Sequence, residues 1–125
     1  MTKKILVIDD MKTLRVLLGK VLRSSGYEVV EAVDGIDGLD NFTLHKPDLV
    51  ISDLNMPNMD GIGFVAGARS KAEGKSVPIL ILTTETNDAL KLRAKEAGAT
   101  GWLTKPFNPK RLTKLVDQLT GTRRA

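Results

Sequence analysis

The sequence predicts a doubly wound α/β domain, in which parallel strands alternate with helices that cover both faces of one sheet. Three observations carry this reading. Short runs such as Lys4 to Ile8, Asp48 to Ser52 and Val77 to Leu82 are continuously apolar or nearly so, as expected of strands buried on both faces. Between them lie stretches with apolar residues at three- and four-residue spacing, punctuated by Gly, Pro, Asn and Asp. No internal repeat or linker breaks the alternation, so all five strands can join one sheet through right-handed crossovers.

The elements follow in order. After the first strand, Leu14, Leu17, Leu18, Val21 and Leu22 mark the inner stripe of a helix, with Lys12, Arg15 and Arg23 on its other side and Gly26 as its stop. Glu28 to Ala32 is a second strand whose charged ends suit a sheet edge. Asp34 caps a helix running to about His45, with Ile36, Leu39 and Phe42 inward, and Pro47 ends it. The third strand, Asp48 to Ser52, stops at Asp53. A helix from about Ile62 to Ala72 then turns Ile62, Val65 and Ala66 inward, although Gly63 and Gly67 lower its propensity. Pro78 is tolerable only near the start of the fourth strand. The next helix, about Asn87 to Ala97, buries Leu90, Ala94 and Ala97 and closes at Gly98. Gly101 to Thr104 is a short fifth strand. Asn108 and Pro109 open the last helix, with a buried stripe of Leu112, Leu115, Val116 and Leu119, and Gly121 to Ala125 reads as a frayed polar tail.

A length of 125 residues and a mass of 13.6 kDa fit a single domain spanning 1–125, with a core of about 4–119. Cysteine is absent, which excludes disulfide and thiolate–metal scaffolds and agrees with a reducing compartment. The apolar run after Lys3 and Lys4 is too short for a signal-peptide core or a membrane span, so a cytoplasmic protein without membrane insertion is expected. The 19 basic and 15 acidic residues give a net charge of +4. They are scattered, and only Phe42, Phe64, Trp102 and Phe107 could stack on bases, so nucleic-acid binding is not the expected role and an acidic protein partner is.

In doubly wound folds ligands bind beyond the carboxyl ends of the strands, and this chain places Asp9, Asp10, Asp53, Thr83 and Lys105 at such ends. Carboxylates brought together raise one another's pKa unless a cation holds them. With no Cys and one His remote in sequence, the site suits Mg²⁺, a hard cation that takes one or two carboxylates and keeps waters or phosphate oxygens. The metal and Lys105 would neutralise a phosphoryl group to which Thr83 donates a hydrogen bond. The run DDMKTL after the first strand is no glycine-rich nucleotide loop, so the phosphate belongs to no bound nucleotide, and Asp53 is the candidate nucleophile for an acyl phosphate.

Plainer readings stand beside these. Asp10 serves equally well as a helix cap. Thr83 is an ordinary strand former, and Lys105 could be a surface lysine, although Pro106 pins its backbone. Trp102 reads from the sequence alone as core filler. His45 is a solvated or capping histidine.

With Asp9-Asp10, Asp53, Thr83 and Lys105-Pro106-Phe107 in place, the chain from about Lys4 to Leu119 resembles response-regulator receiver domains, particularly CheY-like chemotaxis regulators. The resemblance implies the flavodoxin-like strand order 2-1-3-4-5. It implies a phosphoacceptor Asp53 served by a histidine kinase of the CheA type, with Mg²⁺ on Asp9, Asp10, Asp53 and the backbone carbonyl of Asn55. The Lys105–Pro106 bond is expected to be cis, Thr83 and Trp102 to form the switch, and Asn55 and Glu85 to tune dephosphorylation, with a phosphatase as an optional partner. Two residues depart from the familiar pattern: Trp102 stands where Tyr is frequent, and Met11 where Phe is.

No output module is expected after the last helix, so output runs through the surface of a monomer. The resemblance assigns that surface to the fourth helix, fifth strand and fifth helix. There Lys91, Lys95, Lys110 and Lys114 around Trp102, with Leu92, would meet an acidic segment such as that of a flagellar motor switch protein. The resemblance thus implies a signalling phosphoacceptor that catalyses only its own phosphorylation and dephosphorylation. A phosphorelay shuttle or phosphate sink is the alternative. An aspartate-nucleophile phosphatase is disfavoured because Asn55 stands where its second aspartate would, and a flavodoxin-type electron carrier because DDMKTL is not a hydroxyl-rich phosphate loop.

Overall fold

The computed structural model describes residues 2–124; Met1 and Ala125, the ends of the expected domain and tail, lie outside the described residues. Its elements run β1 (Lys4–Ile8), α1 (Lys12–Ser24), β2 (Glu28–Ala32), α2 (Gly35–His45), β3 (Leu49–Ser52), α3 (Gly61–Ser70), a 3₁₀ turn (Ala72–Gly74), β4 (Ile79–Thr83), α4 (Asp88–Ala97), β5 (Gly101–Thr104) and α5 (Pro109–Thr120). All strand pairs are parallel, in the order β2-β1-β3-β4-β5.

Because neighbouring side chains on a strand point to opposite faces, continuous apolar strands feed two cores. Leu6, Ile8, Val50, Ile79 and Ile81 pack with Phe42, Phe64 and Ala94 beneath α2, α3 and α4. Ile5, Val7, Leu49, Ile51, Leu80 and Leu82 pack with Leu18, Leu22, Leu112 and Val116 beneath α1 and α5. Phe42 and Phe64 meet edge to face with centroids 6.0 Å apart, locking α2 to α3.

Several helices sit rotated from their expected faces. In α1 the buried line is Leu18, Gly19 and Leu22, with Arg15 turned toward the sheet and Leu17 exposed. In α2 it is Gly35, Gly38 and Phe42, with Ile36 exposed; the helix sits close over β1, and a Cβ at Gly38 would meet Ile8 Cδ1 at 2.5 Å, so that the buried Ile8 side chain would have to shift. An apolar-periodicity reading cannot see a packing face made of glycine. In α3 Phe64, Val65 and Ala68 are buried and Ala66 is exposed, since the Asp60 cap starts the helix at Gly61 and sets its phase. The helix also ends at Ser70, before the 3₁₀ turn.

Asp34 and Asn108 cap their helices as expected, accepting N–H donors from Asp37 and Arg111, and Asn87, expected as the first residue of α4, proves to be its cap, accepting from Leu90 N–H. Asp10 caps nothing: the position before α1 is Met11, which makes no side-chain cap bond. β3 starts at Leu49 because the Asp48 carboxylate is turned to the Lys4 N–H at 2.8 Å. β4 starts at Ile79, with the Pro78 carbonyl still accepting from Val50 N–H.

The tail is tied down through Arg124. Its guanidinium holds both oxygens of Asp117 at 2.7 and 2.9 Å, donates to the Ser25 carbonyl and lies over the Tyr27 ring, whose hydroxyl also donates to Asp117. At the end of the sheet away from the strand tips, Arg69 donates to the carbonyls of Gly98 at 3.0 Å and Gly74 at 2.7 Å, and also to that of Val77. Burial without a carboxylate partner pulls its pKa below the usual arginine value.

Candidate phosphoryl and metal site

The strand order makes β1 and β3 neighbours, so their tips deliver Asp9 and Asp53 side by side. The ladder extends one step past the strands, Asp53 N–H donating to the Ile8 carbonyl at 2.9 Å. Lys105, one residue past β5, is positioned by its own N–H on the Thr83 carbonyl at 2.8 Å. Its Nζ lies 3.1 Å from Asp9 Oδ2 and 3.2 Å from Asp53 Oδ2.

One carboxylate oxygen each from Asp9, Asp10 and Asp53 lies within 4.8 Å of the others. Asp9 is buried, Asp53 half-buried and Asp10 exposed, so the cluster opens to solvent on one side. Asp9 Oδ1 accepts the Met11 N–H at 2.9 Å, and Asp53 Oδ1 accepts the Leu54 N–H at 2.7 Å. Burial raises the pKa of Asp9, and the neighbouring Asp53 carboxylate adds to this. The Met11 N–H and the Lys105 ammonium oppose the rise. Hard oxygen donors at this separation, with one face left for water, fit a divalent cation of the Mg²⁺ kind, and Asp9, Asp10 and Asp53 could hold it.

Thr83 is buried at the tip of β4, its Oγ1 accepting the Glu85 N–H at 3.3 Å. Asn55 is exposed in the loop after Asp53. The Lys105–Pro106 peptide bond is cis. Trp102 is half-buried against the core beneath α4, and its indole N–H donates to the Glu85 carbonyl at 3.2 Å. It therefore joins the loop that carries Thr83.

The basic rim expected around Trp102 divides. Lys91 and Lys95 line a cleft of about 240 Å³ with Trp102, and Leu92 is exposed on the same helix. Lys110 and Lys114 line a separate groove with Lys20 of α1, because the α5 phase that buries Leu112 and Val116 turns them toward α1.

Two contributors to the site were missed. Arg15 donates to the Asp9 carbonyl at 2.8 Å and pairs with Glu31 Oε1 at 3.0 Å. The signal was present, since Arg15 precedes Leu18 by three and Leu22 by seven, which is helical spacing. Asn58, at φ 68°, donates to Asp34 Oδ2 at 2.7 Å and so ties the loop after Asp53 to the cap of α2. Only its place in a Pro- and Asn-rich loop hinted at it.

Comparison with known proteins agrees with this geometry. Residues 5–117 match the response regulator receiver domain family. The chain belongs to that family, the signalling phosphoacceptor module of two-component response regulators. It is similar to the probable chemotaxis protein CheY of Rhizobium etli, 38% identical over 94% of this chain and 92% of that one. Its fold matches that of the chemotaxis response regulator CheY4 of Vibrio cholerae at a TM-score of 0.89, 42% identical over 95% of this chain and 99% of the other. The transcriptional regulatory protein PdtaR of Mycobacterium tuberculosis is 39% identical over 92% of this chain, which spans 55% of that protein's length. The receiver domain of the sensor histidine kinase PA1611 from Pseudomonas aeruginosa, with a magnesium ion coordinated in its active-site cleft, superposes at a TM-score of 0.89, 26% identical over 97% of this chain and 99% of that one.

Proposed function

We propose that this chain is a cytoplasmic, Mg²⁺-dependent phosphoacceptor of chemotaxis type, and that Asp53 carries the phosphoryl group. The observation supporting it is Asp53 Oδ2 at 3.2 Å from Lys105, in a cluster with the carboxylates of Asp9 and Asp10. An Asp53 oxygen forms the new bond to phosphorus as the bond to a kinase phosphohistidine nitrogen breaks; the other ring nitrogen of that histidine carries a proton, so the imidazole leaves neutral and an acyl phosphate remains. Asp9, Asp10, Asp53 and the Asn55 carbonyl would hold Mg²⁺, which, when bound, offsets the negative charge of the phosphoryl oxygens. Lys105 passes from the carboxylates to the phosphoryl oxygens, and the Thr83 hydroxyl donates to one of them.

Output follows from the link between Trp102 and the Glu85 carbonyl. Drawing Thr83 toward the phosphoryl group moves the loop on which the indole is tethered, and phosphate thereby favours one of two packings of α4 and β5. A partner that prefers the same packing is coupled reciprocally. That partner is an acidic segment of the flagellar motor switch, received by Lys91, Lys95, Leu92 and Trp102.

Incubation with a small acyl-phosphate donor and Mg²⁺ is expected to give a base-labile adduct by mass spectrometry. An adduct that survives Asp53→Asn would sink the assignment. For the output, the phosphorylated chain is expected to bind a flagellar switch peptide more tightly than the free chain. Equal affinity favours a relay shuttle or phosphate sink, a reading supported by similarity to a receiver domain carried by a sensor kinase.

A further inference from the structure

We propose that the groove between α1 and α5 is a second docking surface, and that it receives an acidic segment of a partner protein. The groove has a volume of about 570 Å³ and shares no residue with the phosphoryl site or with the Trp102 cleft. Lys20 reaches into it from α1, Lys110 and Lys114 from α5, and Arg124 from the tail.

Charge identifies the occupant. The carboxylate among the lining residues is Asp117, and Arg124 and the Tyr27 hydroxyl already hold it. Among the described residues, none of Lys20, Lys110 and Lys114 has a carboxylate oxygen within 4.0 Å. A predominantly basic patch selects an acidic partner.

Shape narrows the choice among anions. Val21 and Pro109 give the groove apolar surface, while the hydroxyls of Ser24 and Thr113 offer hydrogen bonds. A peptide with carboxylates and interspersed apolar side chains uses both. The groove has no aromatic ring on which a base could stack.

The test uses the whole chain and a fluorescein-labelled peptide of about a dozen residues rich in Glu with interspersed Leu, read by fluorescence anisotropy at low salt, where such contacts are least screened. The triple variant Lys20→Glu, Lys110→Glu, Lys114→Glu is expected to weaken binding at least about tenfold. A control with the same change in net charge at lysines outside both clefts, Lys46→Glu, Lys71→Glu, Lys75→Glu, is expected to change it less than about twofold. Asp53→Asn is expected to bind as the parent does, which separates this surface from phosphoacceptor function. Lys→Gln at the three groove positions, with an unchanged urea midpoint, is expected to weaken binding to a lesser degree and guards against misfolding. Equal losses in the two triple variants, no binding by the parent, or equally tight parent binding to anionic vesicles or single-stranded DNA would overturn the proposal.

Discussion

Arg15 on α1 donates to the backbone carbonyl of Asp9 at 2.8 Å while its Nε pairs with Glu31 of β2 at 3.0 Å, so one guanidinium fastens the metal-facing end of β1 to the edge strand. The carboxylate of Asp9 is aimed by its backbone, and its backbone is held partly by this bond. Arg15→Ala removes a donor from a carbonyl and the nearer cation from Glu31, and is expected to destabilise the fold by about 1–3 kcal/mol. Urea unfolding measures that loss. Mg²⁺-induced thermal stabilisation of the variant is expected to require several-fold more metal, and an unchanged Mg²⁺ dependence would reduce Arg15 to a structural role.

Gly61 opens α3 directly behind Asp53. A Cβ at this position would overlap the Asp53 carbonyl oxygen and stand 3.0 Å from Leu54 Cα, backbone atoms that cannot swing aside. Gly61→Ala is therefore expected to cost about 1–3 kcal/mol by overpacking and to lower the rate of adduct formation from a small phosphodonor. Gly67, whose added Cβ would meet only the flexible end of Leu39, is the comparison, and Gly67→Ala is expected to be milder in both measurements.

The acid limb of stability follows in part from Asp34. Its pKa is held below the usual carboxylate value first by the Asp37 N–H and then by the Asn58 amide. With the folded pKa below the unfolded one, the stabilisation is complete above the unfolded value near 3.8 and is lost as pH falls through the folded value. Asparagine still caps a helix but carries no proton to gain. Asp34→Asn is expected to be less stable than the parent at pH 7, with the difference in urea midpoint shrinking toward pH 3.

Trp102 is the single tryptophan, so intrinsic fluorescence reports its surroundings without interference from a second indole. Addition of phosphodonor and Mg²⁺ is expected to shift its emission in the parent and to leave Asp53→Asn unchanged. Thr83→Ala is expected to uncouple the two events, forming adduct with a smaller shift. A full shift in that variant would remove Thr83 from the path between phosphate and indole.

Element order, strand order and the meeting of Asp9, Asp10, Asp53 and Lys105 were legible because they depend on coarse signals: buried runs, caps and strand tips. What was misread depends on contact distance. The faces of α2 and α3 are set by Gly38 against Ile8 and Gly61 against Asp53, close approaches that hydrophobic spacing does not register. Charge places Arg15 in solvent although its spacing puts it on the buried line, and sequence alone carries no rotation for α5, which turns Lys110 and Lys114 away from Trp102 toward α1. The tail reads as frayed from composition, yet Arg124 finds both a carboxylate and an aromatic ring across the chain.

Arg69 has a consequence for movement. Its fork clamps Gly98, at the C-terminal end of α4, to the segments that enter β4, whereas the other end of α4 begins at Asn87, four residues beyond Thr83. Only Ala94 of this helix is fully buried. A rod fixed at one end and lightly seated along its length is a cantilever, so a small pull at the strand tip would give its largest excursion at the free end near Asp88 and fade toward Ala97. The gearing would then lie at the opposite end of the sheet, in a residue outside the phosphoryl cluster whose guanidinium meets the Trp102 cleft at Thr100 Oγ1, 3.3 Å away.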